Sequence, residues 1–168
     1  GITLWAADFL TLTGNTANNN IASGIVLDGN DSSTIDCVNH DNTLTSNTTN
    51  NNGETGITLW LESQNNTLTN NIANNNGDKG ISLLGDATLP HLKSPENNTL
   101  SGNTANNNPV GMYLGYNANS NVIKENTIND SRDNGIWLWS ANNNTIYNNY
   151  FNNAIMNARL TGNNTGNQ

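Results

Sequence analysis

Residues 56–76 read GITLWLESQNNTLTNNIANNN and contain two short motifs that recur along the whole chain. The first motif is Gly-apolar-x-Leu, and the second is NTL or a close variant of it. The first motif occurs at spacings of 23, 32, 24, 31 and 24 residues, beginning at Gly1, Gly24, Gly56, Gly80, Gly111 and Gly135. Regular spacing in this range indicates a solenoid of stacked repeats.

The second motif locates the residues that make two of the repeats longer than the others. Its centres are Leu12, Leu44, Leu68, Leu100, Ile123 and Ile146. The extra residues lie between the two motifs, which predicts loop insertions at about 29–41 and 86–97. We expect one domain over 1–168, with coils of about 23 residues starting near positions 1, 24, 56, 80, 111 and 135 and a partial seventh near 157.

Each repeat has the residue alternation of strands. Short runs such as Ile57 to Leu59 and Thr67 to Thr69 alternate apolar and polar side chains. Three such runs, separated by Asn-rich corners, predict an all-β parallel β-helix whose coils stack at roughly 4.8 Å. The apolar positions of the two motifs are expected to fill its narrow core.

The chain contains 41 asparagines, and many fall in columns when the repeats are aligned. One column lies three residues after each NTL centre and comprises Asn15, Asn47, Asn71, Asn103, Asn126 and Asn149. A second lies six residues after it and comprises Asn18, Asn50, Asn74, Asn106, Asn129 and Asn152. An Asn amide can donate to one neighbour and accept from another, and Asn tolerates left-handed backbone angles at corners. Both columns are therefore expected to be structural ladders.

The unit GIxLW followed by NNTLTNNIANNN resembles the Asn-rich repeats of the pectin-lyase-like superfamily, especially those named after the periplasmic copper-binding protein NosD. The resemblance covers nearly the whole chain and implies a right-handed single-stranded β-helix. Such repeats occur in nitrous oxide reductase maturation proteins, in carbohydrate-active enzymes and in bacterial and archaeal surface proteins. The resemblance therefore implies a fold rather than one activity.

Composition excludes two classes of partner. The net charge of -8, with five basic residues, argues against a surface that follows nucleic acid phosphates. The longest apolar runs are only a few residues, so we expect no membrane insertion. An extracellular or cell-envelope location is expected from the family resemblance.

Copper would require soft or borderline ligands that converge. The candidates are Cys37, His40, His91, Met112 and Met156. Both histidines fall in the loop insertions, where histidine is commonly incidental, so we expect no copper centre and no resident cofactor.

Calcium is the alternative cofactor. Glu54 and Asp78 each precede the glycine of their coil by two residues, so they should face each other across adjacent coils. Two carboxylates at such a short distance either bind a cation between them, or raise the pKa of one of the two, or are simply solvated. A second oxygen-rich segment includes Asp28, Asn30 and Asp36, but lacks the glutamate that completes a calcium loop.

Five large aromatic side chains are expected to point outward from the first strand of their coils: Trp5, Trp60, Tyr113, Trp137 and Trp139. They would stack on sugar rings or pack against another subunit.

The middle strand repeats the pattern T-x-T in four successive coils. Its members are Thr11, Thr13, Thr43, Thr45, Thr67, Thr69, Thr99 and Ser101. This pattern resembles the flat threonine array of ice-binding β-solenoids. It also suits any exposed strand, because threonine is β-branched.

The sequence offers no recognisable catalytic set of Arg or Lys with carboxylates. It favours a non-catalytic extracellular or cell-envelope module with a structural, self-assembling or adhesive role. Its expected partners are further copies of itself or neighbouring domains of a longer chain, since uncapped coil ends expose strand edges. The alternatives are a carbohydrate-binding or polysaccharide-processing β-helix, the latter a lyase or hydrolase, and an ice-binding β-solenoid.

Overall fold

A computed structural model describes residues 1–29, 38–88, 93–153 and 155–168 of the chain. The first sheet takes one strand from each coil, and every neighbouring pair is parallel. Its seven strands are Ile2–Trp5, Ile25–Asp28, Ile57–Trp60, Lys79–Leu84, Val110–Gly115, Asn134–Trp139 and Met156–Thr161. Their order in the sheet is their order in the sequence, as coil-by-coil stacking requires.

The second sheet is built from the T-x-T segments and their equivalents. Its six strands are Thr11–Thr13, Thr43–Thr45, Thr67–Thr69, Thr99–Ser101, Val122–Lys124 and Thr145–Tyr147. A third sheet joins Thr127–Asn129 to Tyr150–Asn152, and single bridges through Thr16, Thr48, Ile72 and Thr104 extend it to the first coils. The fold is therefore the expected all-β parallel solenoid.

The loop insertions return to the stack at their ends. Asn39–His40 pairs in parallel with Ser63–Gln64, and Gln64 forms a bridge to Glu96 in the next coil. These pairings form a short fourth sheet between the first two. Within the described part of the chain, no helix is both long enough and apolar enough to span a bilayer.

Equivalent motif positions pair in register and fill the core. Ile25 pairs with Ile2 and Ile57, and Leu44 pairs with Leu12 and Leu68. From the second coil to the sixth, the leucines of the first motif, such as Leu59, are at most 1% exposed. Because each inner coil is covered by two neighbours, two or three apolar columns suffice for a continuous core.

The first asparagine column forms a continuous ladder. The Oδ1 of Asn71 accepts hydrogen bonds from the backbone N–H and the side-chain amide of Asn47, at 2.9 and 3.0 Å. Its own amide donates to Asn103 Oδ1 and to the carbonyl oxygen of Leu44. The same pattern links all six predicted residues, from Asn15 to Asn149, so the prediction is confirmed.

The second column is also linked, but in the opposite direction. The backbone N–H of Asn50 donates to Asn18 Oδ1, and equivalent bonds continue up to Asn129. Asn152, the sixth predicted member, is exposed. The expectation that the ladder asparagines themselves adopt left-handed backbone angles is wrong. The residue before each rung of the first ladder, such as Ser46 or Gly102, adopts the positive φ, rather than the ladder asparagine itself.

Candidate functional site

Three adjoining cavities lie along the outer face of the first sheet and the turns that follow its strands. The first has a volume of about 470 Å³ and extends from Thr3 in the first coil to Leu84 in the fourth. The second, of about 270 Å³, shares Trp60 and Leu84 with the first. The third, of about 480 Å³, shares Tyr116 with the second and reaches Asn163 in the last coil. Each cavity shares lining residues with the next, and we call this row of three cavities the outer trough.

An aromatic cluster borders the outer trough in the later coils. Trp137 and Trp139 stack with ring centroids 5.5 Å apart, and Tyr116 lies 5.4 Å from Trp139. Tyr113 meets Trp137 edge-on at 5.3 Å. The Arg159 guanidinium lies 4.8 Å from the centre of the Trp137 ring, a favourable cation–π distance. The cluster therefore holds its rings in fixed orientations.

Tyr113 is the deepest member of this cluster. Its side chain lies over Gly115, where an added Cβ would overlap the tyrosine ring. The Lys79 ammonium lies 5.2 Å from the centre of the Tyr113 ring, and Tyr113 is only 4% exposed. Burial, together with smaller effects of the charges of Tyr116 and Asp78, raises the pKa of Tyr113 to about 12.

The five predicted aromatic residues do not form one exposed face. Trp60 and Trp139 are each 37% exposed and line the outer trough, whereas Trp5 is 64% exposed and lies outside its three cavities. The expected exposure of Tyr113 is wrong, because neighbouring rings and Lys79 cover it. Trp137 is half-buried, and its Nε1–H donates to Thr161 Oγ1 at 2.7 Å.

The two acidic residues of the predicted pair lie in adjacent coils at the edge of the outer trough. The backbone N–H of Asp78 donates to the carbonyl oxygen of Glu54 at 3.0 Å. The Asp78 carboxylate forms an ion pair with Lys79, and Glu54 accepts a bond from Ser23 Oγ at 3.3 Å. Asp28 lines the same cavity.

The described ranges contain no group of three or more His, Cys, Asp or Glu residues that could hold a metal ion. Asn30 and Asp36, from the second calcium segment, lie outside the described residues, so that segment stays a prediction.

The described copper candidates do not converge. Both ring nitrogens of His40 face carboxylates: Nδ1 lies 2.8 Å from Asp41 and Nε2 lies 3.3 Å from Asp8. Met112 is fully buried in the core, and Met156 lies on the last strand of the first sheet. Cys37 and His91 lie outside the described residues. The side chains that the structure describes therefore do not fit a copper centre.

The T-x-T residues lie in register on the second sheet. Thr43 pairs with Thr11 and Thr67, and the alignment continues to Thr99. The eight predicted residues are all partly or fully exposed: Thr11, Thr13, Thr43, Thr45, Thr67, Thr69, Thr99 and Ser101. The fifth coil interrupts the array with Val122–Lys124.

Sequence reasoning missed two residues of the outer trough, Tyr116 and Ser82, and one residue of the aromatic cluster, Arg159. Tyr116 follows the fifth strand directly, Ser82 lies at an outward position of the fourth, and Arg159 lies in the partial seventh coil. The sequence signal for Ser82 and Arg159 is the alternation of inward and outward residues in the first strand of each coil. It places Ser82 in register with Tyr113, and Arg159 in register with Trp137.

Comparison with known families matches the entire chain, residues 1–168, to the family described as "Periplasmic copper-binding protein (NosD)". The chain belongs to the NosD family. That membership supports the expected cell-envelope location, because the family is described as periplasmic. No curated protein is significantly similar in sequence to this NosD-family chain.

Alginate and mannuronan epimerases are among the solved structures with the same fold. The periplasmic alginate epimerase AlgG superposes with a TM-score of 0.74 at 15% identity, over 97% of this chain and 46% of that chain. Its T265N T268M double mutant gives 0.71 at 22% identity, over 91% and 33% respectively. The A-module of the Azotobacter vinelandii mannuronan C-5 epimerase AlgE4 gives 0.65 at 15% identity, over 94% and 55%.

These similarities show the right-handed parallel β-helix, as expected. The NosD-family chain spans between a third and just over half of the length of these epimerase structures. At this level of identity the likeness establishes the fold, while activity depends on the residues of the individual site.

Proposed function

We propose that this chain is a non-catalytic, glycan-binding β-helix of the cell envelope, with its ligand lying along the outer trough. The observation that carries the proposal is the row of adjoining cavities in the trough, which has Trp60, Tyr116 and Trp139 along its length. Aromatic rings offer flat apolar faces with polar edges, which suit the faces of sugar rings. From the first coil to the seventh, six stacking steps of about 4.8 Å give a length of about 29 Å.

Two basic side chains at or near the trough already contact other groups of the protein, which supports a non-catalytic role. Lys79 is ion-paired with Asp78 and lies over Tyr113, and Arg159 lies over Trp137. A general acid or base must reach the proton that it transfers, so groups held in this way are better suited to fixing the walls of a binding groove.

A tryptophan fluorescence titration against a panel of oligosaccharides tests the proposal. At least one glycan should bind, and Trp60→Ala and Trp139→Ala should each weaken binding at least tenfold, because each removes a stacking surface of the trough. Trp5→Ala is the matched control, since Trp5 is exposed but outside the trough. The proposal fails if no glycan binds, or if the three variants have equal effects.

Polysaccharide processing is the competing function. Its support is the acidic character of the first cavity, where Asp28, Glu54 and Asp78 lie near Lys79, together with the fold shared with epimerases. Purified protein should release neither unsaturated nor reducing ends and should change no sugar configuration. Turnover that disappears in Glu54→Gln or Asp78→Asn would favour this enzyme instead.

Self-association is the structural alternative, because Trp60 and Trp139 would also suit the centre of a protein contact. Sedimentation velocity over a concentration series separates the two. Assembly that is abolished by Trp60→Ala, in a protein that binds no glycan, would replace the glycan proposal.

A further inference from the structure

The floor of the first cavity contains a hydroxyl group without a partner. Ser82 lines the cavity and is only 2% exposed. Its Oγ has no hydrogen-bond partner among the residues that the structure describes. Buried polar groups are nearly always hydrogen-bonded, so an exception in a groove wall indicates a group left for a ligand. Thr58, its neighbour in register, lines the same cavity.

The walls of this cavity are predominantly acidic. Among the described residues that line it, three carboxylates, those of Asp28, Glu54 and Asp78, stand against the ammonium of Lys79, which gives a formal charge of −2. Lys79 is paired with Asp78, so these two charges offset each other and the net charge comes from the other two carboxylates. A cleft lined by one sign of charge concentrates its field and repels ions of the same sign.

The hydrogen-bonding chemistry of the cavity points in the same direction as its charge. Carboxylates are acceptors only, so they pair with hydroxyl, amide or ammonium groups. A ligand carboxylate would find like charges on the walls instead. Val26, Trp60 and Leu84 supply the apolar surface of the cavity.

We infer that the first cavity binds a glycan segment that carries no carboxylate, either neutral or amine-bearing, and rejects polyuronates. This inference rests on the proposed glycan-binding function and specifies the class of ligand. On binding, the buried Ser82 hydroxyl rotates towards the cavity to meet a sugar hydroxyl, Trp60 stacks on a ring, and the carboxylates of the walls accept hydrogen bonds from the ligand.

Isothermal titration with hexasaccharides of matched length tests this class directly. The probes are neutral β-1,4-glucan, β-1,4-mannan and α-1,4-glucan, a fully deacetylated chitosan oligomer and an oligomannuronate, each at 20 and 200 mM NaCl. At least one neutral or amine-bearing probe should bind at least tenfold more tightly than the oligomannuronate. Added salt should weaken chitosan binding, and it should change neutral binding less than twofold.

Charge variants provide the internal control. Glu54→Gln removes a carboxylate of the cavity and should improve the relative affinity for oligomannuronate at least threefold at low salt. Glu125→Gln removes the same charge beside Ser101 of the second sheet and should leave the ratio unchanged. Oligomannuronate binding as tight as the best neutral probe overturns the inference while leaving glycan binding intact. Absence of binding by every probe overturns both proposals.

Discussion

Replacement of Asn71 by alanine removes the middle rung of the first asparagine ladder. The side chain is fully buried and takes part in four hydrogen bonds. Two of its partners keep another bond in the variant. The Asn47 amide still donates to Leu12, and Asn103 Oδ1 still accepts from the backbone N–H of residue 71. The backbone N–H of Asn47, in contrast, loses its side-chain acceptor inside the stack.

The cost of Asn71→Ala follows from these bonds. A buried donor left without a partner costs about 1–3 kcal/mol, and the other lost bonds add about 1 kcal/mol net. We therefore expect the free energy of unfolding to fall by about 2–4 kcal/mol. With a urea dependence of about 2 kcal/mol per M, the unfolding midpoint should fall by about 1–2 M.

Urea denaturation followed by far-UV circular dichroism measures this difference. The matched control is Asn15→Ala, at the exposed end of the same ladder. Its amide donates to Thr13 and Asn47, and the backbone bond of Asn15 to Asn47 survives the substitution. We expect this control to cost less than about 1 kcal/mol. Equal losses in the two variants, or no loss at Asn71, would refute the ladder as a source of stability.

Three further predictions concern the cluster and the second sheet. Gly115→Ala should displace the Tyr113 ring and lower the melting temperature, since the added Cβ overlaps that ring; an unchanged melting temperature would contradict this packing. Folding favours the neutral phenol of Tyr113, with its pKa of about 12, so the free energy of unfolding should fall as pH rises from about 10 to about 12. A pH dependence identical in Tyr113→Phe would assign the loss to other groups. Because Val122–Lys124 ends the threonine array after four coils, we expect no thermal hysteresis in ice-growth measurements; hysteresis that Thr69→Lys abolishes would establish ice binding instead.

The fold and the first ladder could be predicted because they depend on spacing alone. Equivalent residues of a β-helix stack when the number of residues between them is constant outside the loops. The same reasoning could have found another ladder, which precedes the second sheet. Its rungs are the first residues of the NTL motif and their equivalents, namely Asn42, Asn66, Asn98, Asn121, Asn144 and Asn167. The NTL motif carries this signal, because its asparagine lies two residues before the motif centre.

The outer trough was harder to predict, because it depends on how side chains from different coils cover one another. Alternation correctly gave the outward direction of Tyr113. Its burial requires the absence of a side chain at Gly115 and the positions of Trp137 and Lys79 in the two flanking coils. The second and third cavities meet at Tyr116. The position of this side chain depends on its own turn conformation, with a positive φ of 52°. No pattern within one repeat contains this information.

The most direct test of glycan binding in the outer trough is a titration followed by NMR of the indole N–H signals. The chain has four tryptophans, and each gives one signal that single Trp→Phe variants assign. With the best-binding hexasaccharide, the signals of Trp60 and Trp139 should shift and saturate together. The signal of Trp5 should stay in place. If Trp60 and Trp139 do not respond, or if Trp5 alone shifts, the ligand does not lie in the trough and the account is contradicted.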